Sequence, residues 1–320
     1  MTRFITPEIT EISRRRGLQV ALALAAVYVI WGSTYLGIRF AIETLPPFAM
    51  AGVRFVISGL LLYGWARWRG APRPTRIHWR SAAIVGACLL LVGNGGVAWA
   101  EQRVDSGLAA LLVATEPVWI VSLLWLRPGG SRPGPRVALG LGLGLAGLFL
   151  LVRPGGEGID PVGAAALILA SLCWAWGSLY GRRAPLPESS LLTTGMQMLA
   201  GGVLLLGVSA LTGEPARLEL AEVSLKSLLA MGYLVAGGLI AFTAYSWLMR
   251  TTSPVLVSTH AYVNPVVAVL LGWAFAGEPL TAGMLRAAAV ILTGVALITS
   301  APQRDSQPAA EEPEPARAAV

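Results

Sequence analysis

Three ionisable side chains are mid-span candidates in the long apolar runs of this 320-residue chain: Arg54, Glu116 and His260. The neutral polar residues Asn94, Gln197 and Asn264 stand in similar runs. An ionisable group in hydrocarbon is costly unless it is paired or solvated by a cavity, so each is a candidate for binding or passing a solute. Glu116 lies about 16 Å past Asp105 at 1.5 Å per helical residue, close to the middle of a bilayer. Pro117 follows it, removes one backbone donor and frees an earlier carbonyl. A carboxyl beside such a break can bind a cation, or a proton where burial disfavours the ionised form. The alternative is a structural pairing with Arg54 or a neighbouring hydroxyl.

Arg54 lies about 10 Å into its run from Pro47. Its guanidinium could grip a substrate carboxylate or phosphate bidentately, pair with Glu116, or reach back to the membrane surface. His260 titrates near neutral pH when unperturbed, and serves either as a satisfied interior group or as a proton relay. One turn further on, Asn264-Pro265 aligns with Glu116-Pro117, placing a polar residue before a proline at matching positions. Irregular backbone at this depth is tolerated where it lines a cavity, so Pro117 and Pro265 are expected hinges on the transport path. Trp31, Tyr35, Trp99, Trp174, Trp176, Tyr180, Tyr245 and Trp247 form an aromatic group. Some belong to a membrane-interface belt. Trp31 and Trp176 lie deeper and beside Gly-Ser pairs, so Trp31, Ser33, Tyr35, Trp176 and Tyr180 are expected to line a cavity suited to a partly apolar solute.

The elements that must hold these residues are membrane spans. Apolar runs of about 20 residues, long enough to cross roughly 30 Å, fall near 18–37, 48–66, 81–100, 107–126, 134–152, 162–181, 190–211, 227–249, 254–276 and 280–299. They lack the alternation of membrane strands. The expected fold is all-α and integral to the membrane, with ten transmembrane helices.

The runs repeat. Trp31-Gly32-Ser33-Thr34-Tyr35 recurs as Trp176-Gly177-Ser178-Leu179-Tyr180. Gly52, Gly59 and Gly64 match Gly195, Gly202 and Gly207. Trp99 precedes Pro117 by the interval that separates Trp247 from Pro265, and Gly147 matches Gly294. Residues 18–152 and 161–299 therefore read as two five-helix repeats, and an odd-numbered unit must insert inverted the second time, as in many secondary transporters. With the N-terminus in the cytoplasm, 17 of the 24 basic residues face the cytoplasm, which places both termini there. Residues 1–17 form a cytoplasmic segment. The tail 300–320, rich in Pro and Glu, is expected to be disordered.

Composition narrows the function classes. The chain is 55% hydrophobic and 13% charged, against about 25% charged in soluble domains. The net charge of +7 sits in short connectors rather than on a basic face with interleaved aromatics, so no nucleic-acid partner is expected. Cys88 and Cys173 form no CxxC or Cys/His cluster, and no metal site or cofactor is expected. Gly142-Leu143-Gly144-Leu145-Ala146-Gly147 fits the dinucleotide pattern, but within an apolar span it reads as helix packing. Two histidines in the whole chain make a membrane-embedded enzyme a poor reading.

Several stretches resemble the drug/metabolite transporter superfamily, and in particular its EamA-type ten-helix carriers. They are Trp31-Gly32-Ser33-Thr34-Tyr35, Pro46-Pro47 with Arg54, Gly93-Asn94-Gly95-Gly96, Ala100-Glu101-Gln102 and Ser106-Gly107-Leu108-Ala109-Ala110-Leu111-Leu112 running into Glu116-Pro117. In the second half they are Asn264-Pro265-Val266-Val267-Ala268 and Gly277-Glu278-Pro279-Leu280-Thr281. The resemblance spans about residues 18–299 and is nearest to a bacterial inner-membrane subgroup. It implies a multi-pass inner-membrane secondary transporter, an exporter of an amino acid or related small metabolite working by alternating access. The expected path residues are Trp31, Ser33, Tyr35, Arg54, Asn94, Trp99, Glu116, Trp176, Tyr180, Gln197, His260 and Asn264. The expected partners are membrane lipid, a small-molecule solute and protons as coupling ion, with facilitated diffusion or exchange left open, in a monomer or weak homodimer. A channel or flippase-type translocator is the alternative.

Overall fold

The computed structural model describes residues 7–128, 132–152, 160–252, 257 and 260–300. The tail 301–320, most of the connector between the two repeats and the expected start of the ninth span lie outside the described residues. Among the described residues there is helix and no strand. Seven helices are long and apolar enough to cross a membrane. They are α1, whose apolar part is Arg16–Ala41, α2 (Pro47–Trp68), α3 (Arg76–Ala100), α4 (Ser106–Leu126), α6 (Pro161–Gly181), α7 (Ser190–Leu211) and α8 (Leu225–Thr251). The other principal helices are α5 (Pro135–Val152), α9 (His260–Ala276) and α10 (Ala282–Thr299), of which Val263–Ala276 and Ala282–Gly294 are shorter apolar stretches. Helix α1 begins at Pro7, ahead of the apolar run.

Local chemistry sets the ends. Pro47 and Pro161 open α2 and α6, where a missing N–H is harmless. Asp160, Ser189, Ser224 and Thr281 accept backbone N–H bonds at the starts of α6, α7, α8 and α10. Two starts are capped from across the molecule. The Glu214 carboxylate accepts from the Phe48 and Ala49 amides at 3.1 and 2.7 Å, opening α2. Glu278, held in the turn after Gly277 (φ +66°), accepts from the Ser106 and Gly107 amides at 2.9 and 3.1 Å and from the Ser106 hydroxyl at 2.7 Å, opening α4. Each cap sets a carboxylate at the positive end of a helix dipole.

Two helices depart from plain α geometry. Ala87–Asn94 of α3 is a π-helical stretch between α-helical Arg76–Gly86 and Gly95–Ala100. Helix α4 breaks between Ser106–Val113 and Glu116–Leu126. Pro117 removes the donor that would reach the Val113 carbonyl, and the Ser171 hydroxyl of α6 donates to that carbonyl at 3.2 Å. At the matching place in α9 the helix runs on through Pro265.

Packing is reciprocal. α2 lies along α7, α5 along α10, and α4 meets α9. α1 packs on α8 and α9, and α6 packs on α3 and α4, the same two contacts with the halves exchanged. Such exchange is the signature of two-fold related units. The repeated glycines make the α2/α7 crossing: a Cβ on Gly59 would lie 2.7 Å from the Leu199 nitrogen, and one on Gly195 2.7 Å from the Tyr63 nitrogen. Gly52 and Gly202 meet on the same seam. Gly147 packs on Ile291, and Gly294 on the Gly140 carbonyl and Gly144 nitrogen. Gly140, Gly144 and Gly147 of α5 thus form a helix-packing face, while Gly142 meets open space.

Candidate functional site

Six helices enclose a central cavity. It is lined by Trp31, Thr34, Tyr35 and Ile38 of α1, Gly93, Asn94 and Val97 of α3, and Ala110, Val113, Ala114 and Glu116 of α4. Ala170 and Trp174 of α6, Phe242 of α8, and His260, Asn264 and Pro265 of α9 complete it. These are the three-helix sets that exchange under the reciprocal packing.

Glu116 is buried and stands where α4 restarts. Its carboxylate has no hydrogen-bond or ion-pair partner among the described residues. Tyr35 and Tyr245 lie close enough to share its field. Trp31 is the centre of the aromatic wall. Its ring centroid lies 5.7 Å from Trp174, 5.2 Å from Phe242, 4.9 Å from Tyr245 and 5.1 Å from His260, mostly edge to face, a favoured geometry for aromatic pairs. The Asn264 carboxamide lies 3.3 Å from His260 Nδ1. Turned so that its nitrogen donates, it reaches the carbonyls of His260 and Tyr28 at 3.1 and 3.2 Å.

Of the expected path residues, Trp31, Tyr35, Asn94, Glu116, His260 and Asn264 meet at this cavity, with Pro265; the others do not line it. Arg54 is buried behind Asn94. Its guanidinium donates to Asn94 Oδ1 at 3.0 Å and sits 4.5 Å from the Phe55 ring centroid, while Asn94 donates to the Leu89 carbonyl at 3.2 Å. Arg54 thus meets neither Glu116 nor the membrane surface; it holds Asn94 at the end of the π-helical stretch. Ser33 bonds to the Val29 and Ile30 carbonyls of its own helix and to the Tyr233 hydroxyl. Trp99 lies under the Arg103 guanidinium, 4.4 Å from its ring centroid. Gln197 lies on α7, which contributes nothing to the cavity wall. Pro117 lies one residue past Glu116, outside the wall.

The second aromatic motif is a correction. Trp176 is 45% exposed on the outer face of α6, stacked on Tyr180 at 5.4 Å. Trp174 takes the inward place, against Gly93, whose missing side chain leaves room for the indole. Two residues turn a helix by about 200°, so both tryptophans cannot face inward. The 143-residue interval that relates Gly52 to Gly195 and Gly59 to Gly202 also relates Trp31 to Trp174. That glycine register was the available signal, and the five-residue motif concealed it.

Sequence reasoning also passed over Glu101, although it lies in a quoted stretch. It is fully buried just past α3, and neither carboxylate oxygen has a hydrogen-bond partner among the described residues. Arg39 donates to its backbone carbonyl at 2.6 Å. Burial and nearby Glu278 hold the Glu101 carboxyl well above the ordinary carboxylate range, with Arg39 and Arg54 opposing. Burial raises Asp105 in the same connector as well.

The fold and site define a class: a polytopic helical membrane protein with a largely apolar cavity, bearing a few polar groups, between two reciprocally packed halves. The EamA-like transporter family matches residues 18–153 and again residues 161–300, and the chain belongs to that family. It is 43% identical, over 87% of this chain and 89% of the relative, to the uncharacterized inner membrane transporter YedA of Escherichia coli K12. It is 25% identical to protein PecM of Dickeya dadantii over 84% of this chain and 88% of the relative. A solved crystal structure shares the fold with a TM-score of 0.61, 23% identity, and coverage of 87% of this chain and 95% of that one. The chain is a multi-pass inner-membrane protein of a transporter family, and its relative YedA is an inner membrane transporter.

Proposed function

We propose that the chain is a ten-span secondary transporter that exports a small metabolite by alternating access of two inverted repeats, residues 18–152 and 161–299. The observation that carries this reading is the enclosure of the Glu116 cavity by exchanged sets of helices from both halves. Such a site can be uncovered to either side by rocking one half against the other. The π-helical stretch in α3, the break in α4 and Pro265 in α9 are bending points around it. The basic residues support an orientation with both termini in the cytoplasm.

Counterflow in liposomes tests the reading. Purified full-length protein, preloaded with a pool of amino acids and amines, is expected to accumulate labelled members of that pool with saturable kinetics. Flux that never saturates would favour the channel reading, and no flux of any member would overturn the carrier. Glu116→Gln is expected to lower flux at least about tenfold and to flatten its dependence on a pH gradient, as for a coupling carboxyl. Unchanged flux and pH dependence would remove Glu116 from the mechanism.

A further inference from the structure

We infer that the cavity selects a monovalent organic cation with an apolar or aromatic body, an amine lacking a carboxylate, in preference to an amino acid. The inference rests on the carrier reading above for its physiological sense, and on the geometry of the cavity for its chemistry.

Glu116 is the only aspartate or glutamate on the cavity wall, and no lysine or arginine lines the wall among the described residues. The Arg54 guanidinium is not on the wall; it donates to the carboxamide oxygen of Asn94, which is. A carboxylate facing a low-dielectric space without a protein counter-ion is stabilised by a positive charge that arrives with the solute. The rest of the wall suits such a charge. Trp31, Tyr35, Trp174 and Phe242 all line the cavity, and ring faces attract a desolvated cation, the recognition used for quaternary ammonium groups.

The same wall disfavours a zwitterion. An amino acid could place its ammonium near Glu116, but its carboxylate would meet no cation. The Asn94 amide is neutral, and one of its two N–H groups already serves the Leu89 carbonyl. The Asn264 carboxamide is engaged with His260 of its own helix and with the Tyr28 carbonyl of α1. The Trp174 indole N–H lies beside the Tyr245 hydroxyl, and the neutral donors on the wall, the Trp174 indole, the Tyr35 hydroxyl and the His260 ring, do not offset a buried full charge. A bound amino acid would therefore carry an unpaired charge, which is the repulsive element that specificity needs. His260, the other titratable group on the wall with Tyr35, faces Asn264 and Trp31 rather than an acid.

Four solutes of one shape separate the possibilities: phenethylamine, phenylalanine, 2-phenylethanol and 3-phenylpropionate, which are cation, zwitterion, neutral and anion. Equilibrium binding to the full chain in detergent, with radiolabelled phenethylamine displaced by the others, is expected to be saturable. The order should be phenethylamine first, the alcohol and phenylalanine at least about tenfold weaker, and the anion weakest. Glu116→Gln should weaken the amine at least about tenfold and leave the alcohol within about twofold. Glu116→Asp, which keeps the charge, should retain the preference. Equal affinity for amine and alcohol, as expected of a carboxyl that only carries a proton, would overturn the inference. So would tighter binding of phenylalanine, or no saturable amine binding. Should Glu116→Gln fail to fold, the ranking of the four solutes on the unaltered chain still decides. Counterflow of other solutes without amine binding sinks the cation site alone. Amine binding with no flux of any solute sinks the carrier and leaves the site.

Discussion

The glycine-packed pairs α2/α7 and α5/α10 differ from the six helices around the cavity, although all are drawn from similarly apolar sequence. In the pairs the backbones nearly touch, as at Gly59 with Gly195 and Gly147 with Ile291, and none of their side chains lines the cavity. The six enclosing helices carry the π-helical stretch, the break at Glu116 and the internal Pro265, each beside a polar side chain. Close packing between small residues is the main adhesive available in lipid, where apolar contact gains little over lipid tails. The pairs thus supply a rigid frame. The enclosing helices give up regular hydrogen bonding to present polar groups to an internal space.

The contrast can be broken most severely in the frame. Gly59→Val or Gly195→Val puts branched carbon onto a partner backbone. The expected result is loss of monodisperse protein on size exclusion, or a destabilisation of about 3 kcal/mol or more. Gly64→Ala and Gly207→Ala meet open space and should leave thermal stability unchanged or slightly raised. If all four behave alike, the distinction between frame and core fails.

The two tryptophans sharpen it next. Trp31→Leu removes the centre of five packed rings and should cost about 2–3 kcal/mol and most solute binding. Trp176→Leu, on the outer face, should stay within about 0.5 kcal/mol and leave binding unchanged. Comparable losses in thermal-melting and binding assays would return Trp176 to the cavity.

A smaller effect is expected at the break itself. Ser171→Ala leaves the Val113 carbonyl without the hydroxyl that replaces its missing helical donor. A loss of about 1–2 kcal/mol in melting stability should follow. No loss would mean the broken turn is satisfied in another way.

The smallest concerns pH. Glu101 lies well above the ordinary carboxylate range in the folded chain and Asp105 is raised, both chiefly by burial, so the folded state holds their protons more tightly than the unfolded state does. The associated stability is full below the unfolded values and is lost as pH rises through the folded ones. The melting midpoint should therefore fall as pH is raised from the carboxylate range, and Glu101→Gln should flatten the fall. An unaltered slope would remove Glu101 as its source.

Much of the scaffold was legible along the chain because helix length, apolar content and repeated glycines are local properties. The matches at 52/195 and 59/202 turned out to be the contact surfaces of one crossing, and 147/294 lie on another. The third match, Gly64 with Gly207, faces open space and carries no packing. Site residues were less legible. Glu116, His260 and Asn264 stood out because polar groups are rare in such runs. Arg54 stood out for the same reason, yet it touches the cavity only through Asn94. Glu278 and Glu214 gave no sign of their caps, because each serves a helix far away in sequence.

The sequence by itself determined a twofold-repeated, apolar helical chain with a few buried polar groups, since hydrophobic length and residue spacing need no knowledge of neighbours. Only the tertiary structure decided which of those groups face inward. A helix advances about 100° per residue, so two positions separate Trp174 in the cavity from Trp176 outside it. The packing that fixes that rotation, here the gap left by Gly93, belongs to another helix.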